Sequence, residues 1–202
     1  MTTNLLIIAI TCVVSFLGFS NAQLVDRLIL WPPAVEKGQY YRLLSHGLIH
    51  ADSTHLLFNM VTLFFFGRYM EPLYTAILGP FGFALFYVSA IGVAILPSYL
   101  ANRENASYRS LGASGAVSAV LFAFILIQPW ATIYVYVVPV PAIVYAVLYI
   151  AYSIYMERRQ TDHVNHSAHL WGAAYGIVFT IVAEPRVIGV FLEQIAQPHF
   201  RP

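Results

Sequence analysis

Of the 202 residues in this chain, 59% are hydrophobic and only 9% are charged; the mean hydropathy is +0.71 and the formal net charge +1. A soluble domain carries about 25% charged residues, so this composition excludes one and describes an integral membrane protein. No basic block points to a nucleic-acid partner, and the lone Cys12 excludes an intrachain disulfide or a cysteine-based zinc site.

Apolar runs that approach the roughly 17–25 residues needed to cross a bilayer recur along the chain. The first, 5–20, is followed by Asn21-Ala22 in a small-residue pattern like a signal cleavage site. No Lys or Arg precedes it, so it reads as a retained helix. Residues 21–53 form a polar and aromatic connection with Trp31-Pro32-Pro33 and Tyr40-Tyr41-Arg42, residue types that suit the membrane interface. The second helix is expected over 54–71, closed by Glu71-Pro72, and the third over 74–96, stopping at Pro97. After a polar loop at 98–110, the fourth runs over 112–128.

Residues 130–141 are β-branched and aromatic and carry Pro139 and Pro141, which disfavours a regular helix interior. The fifth helix is expected over 141–156. Glu157-Arg158-Arg159 then opens a loop to Ser167, and the sixth helix occupies 168–183. The expected architecture is all-α: one membrane domain over 1–202, a six-helix polytopic bundle with both termini on one side. Cytoplasmic termini would leave Arg68, Arg186 and Arg201 inside. They would put Arg27, Lys37, Arg42, Arg103, Arg109, Arg158 and Arg159 outside. By the positive-inside rule, that count favours the inverted orientation.

In a six-helix bundle the even-numbered helices run the same way. His55 and Asn59 open the second, Ser114 the fourth and His169 the sixth, so all four lie at similar depth below one face. His55 and Asn59, spaced i,i+4, share one side of their helix. Gly172 and Gly176 lay a smooth stripe under His169, and glycine stripes permit close helix approach. If the neighbour is the small-residue run Gly112-Ala113-Ser114-Gly115, Ser114 comes within reach of His169. The alternative is that Gly112, Ser114, Gly115 and Ser118 only pack helices together. Polar groups inside membrane helices are costly and mark function by default, which favours chemistry.

A serine hydroxyl becomes a good nucleophile when a base takes its proton, and imidazole is the usual base. The oxyanion formed in peptide cleavage needs fixed donors: the Ser114 N–H at a helix N-terminus, the His55 ring and the Asn59 amide can supply them. No Asp or Glu lies in the helices at this depth, so a Ser-His dyad is expected rather than a triad.

The run from His46-Gly-Leu-Ile-His50 through His55-Leu-Leu-Phe-Asn59 resembles the histidine-rich start of helix 2 in rhomboid intramembrane serine proteases. Gly112-Ala113-Ser114-Gly115 resembles their G-x-S-G motif, and Ala168-His169-Leu-Trp-Gly172-Ala-Ala-Tyr-Gly176 their A-H-x-x-G-x-x-x-G. Order and spacing agree over nearly the whole chain, with the six-helix bacterial type.

The resemblance implies Ser114 as nucleophile, His169 as general base, and His55, Asn59 and the Ser114 N–H as oxyanion donors, with Gly112 beside them. It implies structural roles for Glu71 and for Tyr41-Arg42, the latter anchoring the first loop in the interface. It also implies no cofactor, cytoplasmic termini, a site open to the outer face, and single-pass membrane proteins as substrates, in a bacterial cell membrane. The cytoplasmic placement of the termini is preferred to the charge count. One departure stands out: relatives often carry Tyr or Phe four residues after the serine, stacked on the histidine, where this chain has Ser118. Either another aromatic orients His169 or the ring is held less firmly.

His46 and His50, spaced i,i+4, with His55 form a possible metal set, as in a transporter; loop-stabilising hydrogen bonds are the favoured role, with His50 supporting the oxyanion side. His166 is a rival base that lacks the glycine stripe, and His163 and His199 lie in a loop and the tail. A catalytically inactive relative that binds membrane clients is the other alternative. A loosely packed fifth helix with the 157–167 loop is expected to form the substrate gate.

Overall fold

The computed structural model describes residues 2–135, 137–159 and 164–198. The chain runs through α1 (Thr3–Phe19), α2 (Ala22–Leu28), α3 (Pro32–Glu36), α4 (Arg42–Ser45), a 3-10 turn (His46–Leu48) and α5 (Ser53–Thr62). A π turn (Leu63–Gly67) leads into α6 (Arg68–Leu78), followed by α7 (Gly82–Ala101) and α8 (Ser114–Ile127). A small hairpin, β1 (Thr132–Val135) with β2 (Val138–Pro141), precedes α9 (Ala142–Arg159), α10 (His166–Ala183) and α11 (Val187–Ala196). The long rods α1, α5–α6, α7, α8, α9 and α10 form the helical membrane bundle expected from composition.

The core is built around α8. Its sequence SGAVSAVLFAFILI carries no charge, and every residue from Gly115 to Leu126 is buried. A helix apolar on all sides belongs inside a bundle. Outward faces of the other rods stay apolar: Val13 and Phe16 on α1, Phe65 in the π turn, Val147 and Leu148 on α9 and Val182 on α10 are all more than half exposed. Such surface is stable against lipid and would aggregate in water. By length and apolarity alone, α7 is the one described helix that meets a full bilayer span. With α11 counted as its bent continuation, α10 also meets it.

The close fit of α8 and α10 comes from glycine. A Cβ on Gly172 would stand 2.0 Å from the Gly115 carbonyl oxygen, and one on Gly176 would stand 2.1 Å from that of Ala119. Both pairs advance four residues on each helix, so one ridge of α10 lies directly on the backbone of α8.

Several boundaries differ from the sequence reading. The second rod does not end at Pro72 but continues to Leu78, and the third starts at Gly82 rather than 74. The hydrogen bond that Pro72 removes is the one to Arg68, at the junction where the π turn has already shifted the bonding register. The break falls at Gly79, whose φ of +84° suits glycine, before Pro80. Pro97 does not stop α7 either. The turn beyond it is fixed from outside, because Ser98 Oγ donates to Asn165 Oδ1 at 3.0 Å. The fifth helix extends to Arg159, and the sixth begins two residues early, at His166.

The expected all-helical chain acquires one hairpin at 132–141, where β-branched residues and prolines leave no helical option. The 21–53 connection contains short helices, and α11 was not foreseen. Trp130 Nε1 donates to the Gln194 carbonyl and Gln194 Nε2 to the Ile127 carbonyl, so α11 closes the C-terminal end of α8.

Candidate active site

Gly115, pressed against Gly172, follows Ser114 directly, and His169 lies one turn before Gly172. The contact that joins the helices therefore brings the two side chains together: His169 Nε2 and Ser114 Oγ stand 2.7 Å apart. Ser114 is the first residue of α8, and no side chain caps that helix end. The N–H groups of an uncapped first turn point forward, with the positive end of the helix dipole behind them.

Gly112 has φ +112° and lies under the His55 ring; a Cβ there would come 2.7 Å from the ring Cε1. Its own N–H donates to the His46 carbonyl at 2.9 Å. His55 thus lies against the segment leading into Ser114. Asn59, buried one turn further along α5, donates from Nδ2 to the His55 carbonyl at 2.9 Å. Asp52 caps this helix, accepting the His55 N–H at 2.8 Å.

His50 acts one layer out. Ser15 Oγ donates to the Leu48 carbonyl at 3.0 Å, which leaves it to accept from His50 Nδ1 at 2.9 Å. The opposite nitrogen, Nε2, then accepts the Ala113 N–H at 3.4 Å. That tautomer requires a neutral ring, and burial lowers the His50 pKa to about 3. The ring also meets His55 edge-on at 4.9 Å. Burial lowers buried His46 to about 4. Among the described residues no three His, Cys, Asp or Glu side chains gather as a metal set. His46 lies in the 3-10 turn and His50 in the extended chain beyond it, so the i,i+4 spacing never becomes a helix face.

Arg42 and Glu71 lie away from the pair. Arg42 lies within the first loop, in the structural place expected for it. It is buried, with Nη1 donating to the carbonyls of Asp26 and Ile29, both at 2.7 Å, and Nε donating to Gln39 Oε1 at 2.7 Å. Glu71 caps α1, accepting the Thr3 N–H at 2.6 Å and the Asn4 N–H at 3.2 Å. His166 is buried and meets His169 edge-on at 5.7 Å. His163 and His199 lie outside the described residues.

Sequence reasoning missed two residues. Asn165 caps α10 through the Ala168 N–H at 2.9 Å, accepts from Ser98, and donates to the Tyr108 hydroxyl at 2.9 Å. Its signal was an Asx residue just before an apolar run. Tyr149 of α9 supplies an aromatic ring at His169: the rings are stacked at 6.1 Å and 27°. The Tyr149 hydroxyl lies 2.6 Å from Ser118 Oγ. The i,i+4 pair Tyr145 and Tyr149 was the available hint. A hollow of about 380 Å³ lined by Leu73, Ile127, Thr180 and Arg186 lies at the other ends of α8 and α10, remote from this pair.

Fold and site together define a class: a polytopic helical membrane protein whose short central helix holds a serine against a histidine of its neighbour. The Rhomboid domain family model matches residues 37–186, and the chain belongs to the rhomboid family. It is 30% identical over 176 residues to RHOMBOID-like protein 12, mitochondrial, of Arabidopsis thaliana, covering 79% of this chain and 51% of that one. It is 34% identical over 154 residues to RHOMBOID-like protein 4 of the same plant, covering 73% and 35%. A Bacillus subtilis (strain 168) protein, YdcA, whose name marks it as a candidate rhomboid protease, is 35% identical over 83 residues, 41% of this chain and 39% of that one. The matched stretch therefore spans about half or less of the length of each of these relatives.

Proposed function

We propose that this protein is an intramembrane serine endopeptidase working through a Ser114–His169 dyad, within one membrane domain over 1–202. The observation that carries this is the 2.7 Å approach of His169 Nε2 to Ser114 Oγ at the uncapped start of α8. In the proposed reaction Ser114 Oγ attacks the scissile carbonyl carbon as His169 Nε2 takes its proton. The oxyanion receives hydrogen bonds from the Ser114 N–H, His55 and Asn59. His169 then protonates the leaving amine, and water, deprotonated by the same nitrogen, releases the acyl group.

Helix length supports a site below the membrane surface. The 14 residues of α8 rise about 21 Å, against a hydrocarbon core of about 30 Å. With its C-terminal end near one interface, Ser114 stands several ångströms inside the other. Single-pass membrane proteins are the substrates such a depth selects, and the termini are placed in the cytoplasm. The relatives include one named as mitochondrial as well as a bacterial protein, so they lend no particular support to a bacterial cell membrane.

The test is cleavage of a reporter transmembrane substrate in liposomes by wild type, Ser114→Ala and His169→Ala, with a chelator control. Loss of on the order of 10³-fold or more in both variants, with no chelator effect, is the expected result. Cleavage that survives Ser114→Ala, or a wild type inert toward several substrates, would overturn the reading, the latter in favour of a client-binding protein.

A further inference from the structure

We propose that Tyr149 is the positioning residue for His169, so that the base is oriented from α9 rather than from the helix that carries the serine; this rests on the dyad reading above. Four residues after Ser114, on the face of α8 turned to α9, stands Ser118, too small to cover an imidazole. Ser118 Oγ meets the carbonyl of Ser114 at 2.8 Å and the Tyr149 hydroxyl at 2.6 Å. One hydroxyl has one proton. With Ser118 donating to the Ser114 carbonyl, the Tyr149 O–H donates to Ser118, and the chain of bonds ends on the backbone of the serine itself.

That bond fixes the ring. The Tyr149 plane lies 27° from the His169 plane at 6.1 Å between centroids, inside the range of offset aromatic stacking. Phe122 of α8 packs on Tyr149 at 5.4 Å, and Tyr145 of the preceding turn at 5.8 Å, so the ring is held from three directions. His166 meets the same imidazole edge-on at 5.7 Å. Tyr149 thus covers a face of the imidazole.

The consequence is a dependence on α9. Only Ala142, Ala146 and Ser153 of that helix are buried. An outward displacement of α9 that removes Tyr149 from Ser118 also uncovers His169. The same helix then controls both access to the site and the aim of its base.

The test separates the ring from its bond. Tyr149→Leu removes the stack, Tyr149→Phe keeps the ring and loses only the bond to Ser118, and the double variant Ser118→Phe with Tyr149→Leu returns an aromatic ring from α8. For cleavage of the reporter substrate, Tyr149→Leu is expected to lose roughly tenfold in kcat with KM little changed, the scale of one aromatic contact. Tyr149→Phe should lose no more than about threefold, and the double variant should regain most of the loss.

The acidic limb of the kcat/KM profile should move in Tyr149→Leu and return in the double variant. A kcat unchanged by Tyr149→Leu would overturn the proposal. So would a loss that tracks the melting temperature, leaves the limb in place, and is not regained on moving the ring. Inertness of the wild type instead sinks the dyad reading itself.

Discussion

Two walls flank Ser114, and different chemistry holds each. The wall built from residues 22–50 and 98–112 is hydrogen-bonded throughout. Leu30 and Ser110 pair through both backbone bonds, at 3.0 and 3.2 Å. Trp31 Nε1 donates to the Ala106 carbonyl at 2.9 Å while the Arg109 guanidinium lies over its ring at 4.4 Å. Arg42 ties α2 to α4, and Glu36 takes two bonds from Arg103, which with the Tyr99 hydroxyl hold its carboxyl at about 2. The α9 wall is mostly apolar: Tyr149 reaches Ser118, the Ser167 N–H donates to Glu157 Oε2 at 2.9 Å, and the first turn is held by the Ala142 and Ile143 N–H groups on the Ala131 and Pro129 carbonyls.

Hydrogen bonds broken away from water cost more than apolar contacts exchanged for lipid. On the proposed reading, a substrate helix therefore meets less resistance at α9. Of the gate expected at the fifth helix and the 157–167 loop, residues 160–163 lie outside the described residues; the helix itself carries the case.

The largest effect should come from locking the weaker wall. A cysteine pair bridging α5 and α9, in a Cys12→Ser background, is expected to abolish cleavage of a membrane substrate on oxidation, while a small fluorophosphonate still labels Ser114. A similar link between α2 and the 102–110 loop should leave cleavage intact. Unimpaired turnover with α5 tied to α9 would break the comparison.

Next in size is the seam both walls share. Gly172→Ala places a methyl group on the Gly115 carbonyl and should cost about 1–3 kcal/mol or more, read as a lower unfolding midpoint with weaker labelling of Ser114. At Gly189 a Cβ meets nothing within 4 Å, so Gly189→Ala should leave labelling unchanged.

The last comparison distinguishes the walls by pH. His46 and His50 are held neutral by burial, with values of about 4 and 3 against 6.5 when unfolded. Their contribution is fully present above pH 6.5 and is lost as pH falls toward the folded values. Between pH 6.5 and about 4, the unfolded chain binds more protons. Stability should therefore fall by up to about 1.4 kcal/mol per pH unit for each histidine. Unfolding midpoints at pH 7 and 5, with His50→Gln reducing the slope, check this. A midpoint that does not move between those values would contradict it.

Much of this was legible in the chain. The spacing His169–Gly172–Gly176 and the small residues around Ser114 foretold a close helix pair, because glycine periodicity encodes backbone approach directly. The departure at Ser118 was legible too, as a missing ring. Its replacement was not, since Tyr149 is one of fourteen tyrosines and only packing selects it. Prolines misled in the opposite sense. Pro72 and Pro97 read as helix ends, yet a local π turn excuses the first, and the turn beyond the second is fixed by the bond Ser98 donates to Asn165, a partner distant in sequence.

The central claim is that His169 makes Ser114 a nucleophile. Its most direct test is the rate at which a fluorophosphonate modifies the liposome-embedded protein, with the modified residue located by mass spectrometry. The account predicts a single adduct on Ser114 in the wild type, and labelling reduced on the order of 10²-fold or more in a folded His169→Ala variant. An adduct on another residue, or equal labelling without His169, would contradict it.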